Sequence, residues 1–279
     1  MAMNNVTLTS GMRANLFSLQ QTSNMMETTQ TRLSSGKRVN SALDDPINFF
    51  AAQGHTQRAG DLAMRKDEMS EAIQTIKAAN NGLEALTDMI ASAKSLAQSA
   101  MATNDLSERG TLQGQYETML GQIEDVIDDS GYKGTNLLDS ANTQSITVSF
   151  NENGTSNLVV SAENVIDEFE KIDAASTTVT AWNTADTAGI ETSITSLDDA
   201  RDQVRTSAKK LSNSLSTITT RQEFTTKMIN TLEDGAATLV NADLNEEGAN
   251  MLMLQTRQSL GTTSLSLASQ AAQSVMRLF

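Results

Sequence analysis

From Ile190 to Leu239 an apolar or small residue returns at alternating three- and four-residue steps. The series runs Ile190, Ile194, Leu197, Val204, Ala208, Leu211, Leu215, Ile218, Ile229, Leu232, Ala236 and Leu239. Arg201, Gln222 and Thr225 fill the remaining places, and no proline breaks it. That spacing is the seam of one helix laid along another. At about 1.5 Å rise per residue, such a helix is roughly 75 Å long. A stripe of that length finds no cover on a compact globule and needs an equally long partner.

The same chain supplies one. Leu62, Met69, Ile76, Leu83, Ile90 and Ala97 recur every seventh position, flanked by Ala72, Ile73, Ala79, Leu86 and Ala93. A strict seven-residue repeat drifts against the helical turn and implies a left-handed supercoil. Leu112, Tyr116, Met119, Ile123 and Val126 form a shorter stretch with the same spacing. The expected fold is therefore mainly α: an elongated antiparallel coiled-coil rod formed by the N- and C-terminal halves. A small β-hairpin region sits in the middle of the chain. An ordinary helical bundle accounts equally well for these middle segments, but not for the ends.

Composition narrows the function. The net charge of −14 opposes nucleic-acid binding, which needs a basic face. Cysteine is absent, which removes disulfides, thiol chemistry and zinc–thiolate sites. No apolar run reaches the length that spans a bilayer, so membrane insertion is not expected. The opening residues, Met1 to Phe17, carry no basic start followed by an apolar stretch, and do not read as a Sec signal peptide. With a single histidine, His55, and no cysteine, neither a nucleophile–base pair nor a transition-metal cluster can be built from the usual groups. The acid pairs Asp44-Asp45, Asp128-Asp129 and Asp198-Asp199 are expected at helix ends, where capping explains them. No glycine-rich phosphate loop is present. No catalytic residue, metal or cofactor is expected. The fourteen methionines read as adaptable core filler.

Along the chain, residues 1–35 read as a helix, with Met12, Leu19, Met26 and Leu33 seven apart and Leu16 beside them. Asp44-Asp45-Pro46 is a helix start, with an aspartate cap and proline in the first turn. The helix after it should run from about 46 to 102, and the next from about 105 to 129 with Gly131 as its C-terminal cap. Gly82, inside the first of these, costs about 1 kcal/mol against alanine. Ile146 to Phe150 alternates at period two, Asn151 to Gly154 signals a turn, and Leu158 to Val160 is a second short run, which together read as a β-hairpin. Residues 161–188 read as an exposed connection with a short helix around Ile166 to Ile172. Asp234-Gly235 loosens the end of the long helix. Asp243 with Glu246 then resembles a capping box at the head of a last helix.

That last helix carries two apolar stripes. Met251, Leu254, Gly261, Leu265, Ala268, Ala272, Val275 and Phe279 form one; Met253, Leu260, Leu267 and Leu278 form the other. Two stripes are more than one intramolecular partner needs. An isolated helix of this size is marginal in water, so both ends are expected to order only on assembly with other copies. Pairing of the two ends within one chain is the simpler alternative. The expected organisation is an N-terminal core helix (1–43) paired with 240–279, a first rod part (44–188) and a long second rod helix (189–239).

The ends also carry recognisable runs. Arg32-Leu33-Ser34-Ser35-Gly36-Lys37-Arg38-Val39-Asn40-Ser41-Ala42-Leu43-Asp44-Asp45 resembles the N-terminal signature of bacterial flagellin. Asn241 to Asn250, Leu254 to Gly261 and Leu267 to Phe279 resemble its C-terminal signature. Tyr132-Lys133-Gly134-Thr135-Asn136-Leu137-Leu138 resembles the run that follows the second rod helix. The order matches along nearly the whole chain.

The resemblance implies a structural subunit that polymerises into the extracellular flagellar filament. Its paired terminal helices would line the inner core of a hollow tube, with the long helices and the hairpin in the next layer. Larger members insert outer domains where this chain has only about 140–188. Expected partners are other copies of the chain, an export chaperone, the filament cap and the hook-junction proteins. Export through the flagellar type III channel would replace a signal peptide. The polymerisation interface expected from the stripes comprises Met12, Leu16, Leu19, Met26, Leu33, Met251, Leu254, Leu260, Leu265, Leu267, Ala272, Val275, Leu278 and Phe279. Asp44-Asp45-Pro46 is shared with the hook–filament junction protein, which stays an alternative, as does a signalling coiled coil. The segment Ala91 to Ala100, where innate immune receptors meet an arginine in some flagellins, holds Lys94 and no arginine.

Overall fold

The structure is a computed structural model that describes residues 10–139, 145–163, 165 and 182–276. Among them are five helices and one two-stranded antiparallel sheet: α1 (Ser10–Ser35), α2 (Pro46–Ala102), α3 (Leu106–Asp129), β1 (Ile146–Ser149), β2 (Asn157–Val160), α4 (Ala188–Val240) and α5 (Leu244–Met276). The fold is mainly α with one β-hairpin, as the periodicity predicts. The chain divides into two compact units, Arg58–Asn230 and Met1–Gln57 with Thr231–Phe279.

In the unit 58–230 the seam residues meet. Met69, Ile76, Leu83 and Ile90 of α2, Tyr116 and Ile123 of α3, and Ile190, Leu197, Val204, Leu211 and Ile218 of α4 share one buried cluster. Burying each large side chain contributes about 1.5–3 kcal/mol relative to exposure. Lys94 reaches Asp198 while Gln222 reaches Ser70, so α2 and α4 run antiparallel. Two of the seam's three interruptions have partners. Gln222 Nε2 donates to Ser70 Oγ at 2.6 Å, and Arg201 pairs with Asp198 at 3.1 Å. A polar pair inside a helical seam fixes register, because sliding by one turn leaves both groups unsatisfied.

The hairpin pairs Val148 with Leu158 and Ile146 with Val160. Val148, Phe150 and Val160 are buried in the same cluster. Its tip is held by Arg58, whose Nε lies 2.8 Å from Glu152 Oε1, and by the Arg221 guanidinium 5.2 Å from the Phe150 ring centre.

Several expectations change. Gly131 is not a left-handed cap: α3 ends at Asp129 with Ser130 as its C-cap, and the reversal is made by Lys133 (φ 50°) and Gly134 (φ 81°). Asn136 supplies the cap instead, its Nδ2 donating to the carbonyls of Ile127 and Asp128. Asp234-Gly235 does not loosen α4, which continues to Val240. The connection is not simply exposed. Val165 and Trp182 are buried in the core, and Trp182 packs on Tyr116 with ring centres 4.9 Å apart. The buried Arg109 ties this end down, donating to the carbonyls of Thr103 and Thr184 at 2.8 and 2.9 Å. The helix expected around Ile166 to Ile172 lies outside the described residues. Asp198 sits inside α4 rather than at its end, bonded to Lys94 at 2.6 and 2.7 Å, so cross-helix pairing explains it and capping does not. Asp128-Asp129 close the C-terminal end of α3, the end where a helix dipole disfavours carboxylates.

Candidate polymerisation surface

The unit formed by the two ends of the chain is built from α1 and α5. Along α1, Met12, Thr22 and Thr29 are buried, with Asn15, Leu19 and Met26 half-buried between them. Along α5, Glu247 and Leu254 are buried, and Met251, Gln258, Gly261, Leu265, Ala268 and Ala272 are half-buried. Both series step by three and four, so each helix turns one stripe toward the other. Arg32 meets Glu247 and Leu19 meets Gly261, which makes the pair antiparallel. A Cβ on Gly261 would fall 2.6 Å from Leu19 Cδ2; the missing side chain lets Leu19 seat on the α5 backbone. Thr22 is buried without penalty because its hydroxyl donates to the Ser18 carbonyl at 2.9 Å.

The seam is thin. Among the described large apolar side chains of the two helices, only Met12 and Leu254 are buried, each 8% exposed. Its polar anchor is the Arg32–Glu247 pair at 3.0 Å. Glu247 lies in the first turns of α5, where the helix dipole favours its charge.

The signature runs fix how the pair begins. After α1, Gly36 turns through φ 69°, a left-handed conformation that glycine adopts freely. The backbone then runs beside the start of α5: Arg38 N and Val39 N donate to the Val240 carbonyl, and Ala242 N donates to the Gly36 carbonyl. Asp44 closes the following turn, its Oδ2 accepting from Asn40 N at 3.0 Å and Ser41 N at 2.9 Å. Those bonds, the Ser41 amide foremost, hold its carboxyl below the usual range. Asp45 caps α2 through Asn48 N at 3.1 Å, which lowers its pKa likewise. Asp243 caps α5, accepting from Asn245 N and Glu246 N.

The second stripe of α5 lies outside that seam. Met253, Leu260 and Leu267 are 58%, 64% and 61% exposed. Leu16 and Leu33 of α1 also point outward. Of the interface residues expected from sequence, Met12, Leu19, Met26, Met251, Leu254, Leu265 and Ala272 therefore meet within the chain, whereas Leu16, Leu33, Leu260 and Leu267 do not. The side chain of Val275, and Leu278 and Phe279 altogether, lie outside the described residues. Sequence reasoning missed exposed Phe17, Met25 and Leu252, which stand off the seven-residue series. Met25 and Met253 line an open groove of about 530 Å³ between the two helices, rimmed by Asn24, Asn250, Arg32 and Arg257.

Among the described residues no group of three or more His, Asp or Glu could hold a metal ion, and no helix is long and apolar enough to cross a membrane.

The family model for the bacterial flagellin N-terminal helical region matches residues 4–143, half of the chain. Flagellin FljK of Caulobacter vibrioides is 28% identical over 100% of both chains. Flagellin FljM of the same organism is 27% identical, also over 100% of both. A flagellin of Brucella melitensis is 24% identical over 95% of each. The crystal structure of Bacillus cereus flagellin superposes with a TM-score of 0.49 at 17% identity, covering 57% of this chain and 88% of that one, a likeness too distant to add to the argument. By the match over residues 4–143, in which the Arg32 to Asp45 run lies, the chain belongs to the bacterial flagellin family: it is a structural subunit of the extracellular flagellar filament and not an enzyme.

Proposed function

We propose that the outward stripe of α5, with the outward residues of α1, is the surface by which one subunit joins the next. Folding of the two ends is then completed by that association. The observation that carries this reading is Met253, Leu260 and Leu267, seven residues apart and each more than half exposed on a helix whose other face is already paired. A row of exposed large apolar side chains along one helix suits an interaction site, and in a filament subunit the partner is another copy of the same chain. The thin α1–α5 seam supports the coupling, since a pair that buries few large side chains is marginal by itself. On this reading residues 1–43 and 240–279 form the filament core, and 44–188 with 189–239 form the surrounding rod layer. In sequence, Leu278 and Phe279 continue the spacing of the two stripes. Subunits leave through the flagellar type III channel with an export chaperone, and assemble between the hook-junction proteins and the filament cap.

Two variants test it. Removal of residues 265–279 abolishes polymerisation while the circular dichroism and urea transition of the unit 58–230 persist. Leu260→Asp with Leu267→Asp leaves the monomer's melting temperature unchanged, because both side chains are already in water, and prevents fibres in electron micrographs. Normal filaments from either chain would refute the reading.

A further inference from the structure

Two thioethers stand in the groove between α1 and α5. Met25 is 42% exposed and Met253 58% exposed, and both line the same opening. We propose that Met25 and Met253 form a peroxide-sensitive modification site whose oxidation to methionine sulfoxide stops subunit association. The inference rests on the reading that neighbouring copies cover this face.

The chemistry needs only access and a peroxide. The thioether sulfur attacks one peroxide oxygen, the O–O bond breaks, the S–O bond forms, and water leaves with the remaining oxygen. Sulfur is oxidised by two electrons and the peroxide is reduced by two. Reactivity follows exposure, so Met69, fully buried, and Met12, 8% exposed, are built-in controls. Met64 and Met101, 58% and 40% exposed, react as well, but they stand on α2 and do not line the groove.

The consequence follows from where the new oxygen sits. The groove is open to water in the free subunit, so a sulfoxide there is hydrated and the monomer stays folded. Against an apolar neighbour the same oxygen must give up water without gaining a donor, which opposes burial. Methionine is suited to such a surface because it is apolar and adaptable until oxidised. Once the face is covered, both sulfurs are shielded, which confines sensitivity to the unassembled subunit.

The test uses the full chain and hydrogen peroxide. Peptide mass mapping after mild treatment of the monomer should find Met25 and Met253 carrying one oxygen while Met69 does not. The concentration needed for polymerisation should rise roughly tenfold or more, the scale of burying an unpartnered polar atom. Met25→Leu with Met253→Leu, a swap of similar volume, should show the same polymerisation threshold after peroxide as before it, wherever that threshold lies relative to the wild type. Met64→Leu with Met101→Leu should stay sensitive. Methionine sulfoxide reductases for both epimers should restore the oxidised wild type. In assembled filaments the two groove methionines should oxidise more slowly than in the monomer. Unchanged polymerisation with Met25 and Met253 fully converted would overturn the inference, and so would a leucine double variant as sensitive as the wild type. If Leu260→Asp with Leu267→Asp still blocks fibres in that case, the inference alone falls and the proposed interface stands.

Discussion

At Gly82 a single missing side chain sets how closely two helices approach. An added Cβ would lie 2.7 Å from Ser130 Cβ and 3.0 Å from Leu138 Cδ1. Ser130 cannot swing away freely, because its hydroxyl donates to the Val126 carbonyl at 2.6 Å. In sequence Gly82 reads as a helix weakness that alanine would repair by about 1 kcal/mol. The tertiary contact reverses the sign. We expect Gly82→Ala to destabilise the unit 58–230 by about 1–3 kcal/mol, the usual result of overpacking, measured by urea denaturation. Ser130→Gly in the same chain should recover part of the loss. A more stable Gly82→Ala would show that the helices can move apart without cost. Trp182 makes a similar point: an isolated aromatic in a Thr- and Ala-rich stretch carries no periodic signal, yet it is buried against Tyr116.

Among the elements, helix starts were legible because a cap is a local event. Asp45-Pro46, Asp105 and Asp243 each precede a helix and accept from its first amides. Pairs across helices were not legible. Nothing local links Arg32 to Glu247 or Lys94 to Asp198, which lie far apart in the chain and meet only when seams dock. Acid should separate these contributions. The carboxyl of Asp198 is held below its usual range chiefly by its hydrogen bond to Lys94, and that of Asp44 chiefly by the Ser41 amide. A carboxylate with a depressed folded pKa stabilises above its unfolded pKa, and that stability is lost as pH falls through the folded value. We expect melting temperatures to fall on acidification below the ordinary carboxylate range. Asp44→Asn and Asp198→Asn should each flatten that fall, since neither amide titrates. The slope from Asp198 should be small, exposed pairs contributing about 0.2–1 kcal/mol. Wild-type slope in both variants would remove these two carboxylates as the cause.

For the whole molecule, charge and apolar surface oppose each other. A subunit of net charge −14 repels its copies, while the outward stripes, on the interface proposed above, draw them together. Salt shortens the screening distance from about 10 Å at 0.1 M to about 3 Å at 1 M. We therefore expect the concentration needed for polymerisation to fall as sodium chloride rises, and to fall further in sulfate, which also strengthens apolar burial. Light scattering with electron microscopy checks both, and a response flat in both salts would exclude this balance. Sequence alone determined which faces of the helices are apolar, where the helices start, and that the terminal helix carries more apolar surface than one partner can cover, because periodicity and capping are written within a few residues of each other. Tertiary structure decided which of the two α5 stripes is spent within the chain: Gly261 admits Leu19 and Glu247 meets Arg32, so Leu254 turns inward and Leu260 and Leu267 are left in water. That choice depends on shape and charge brought together from opposite ends of the chain, which no local pattern encodes.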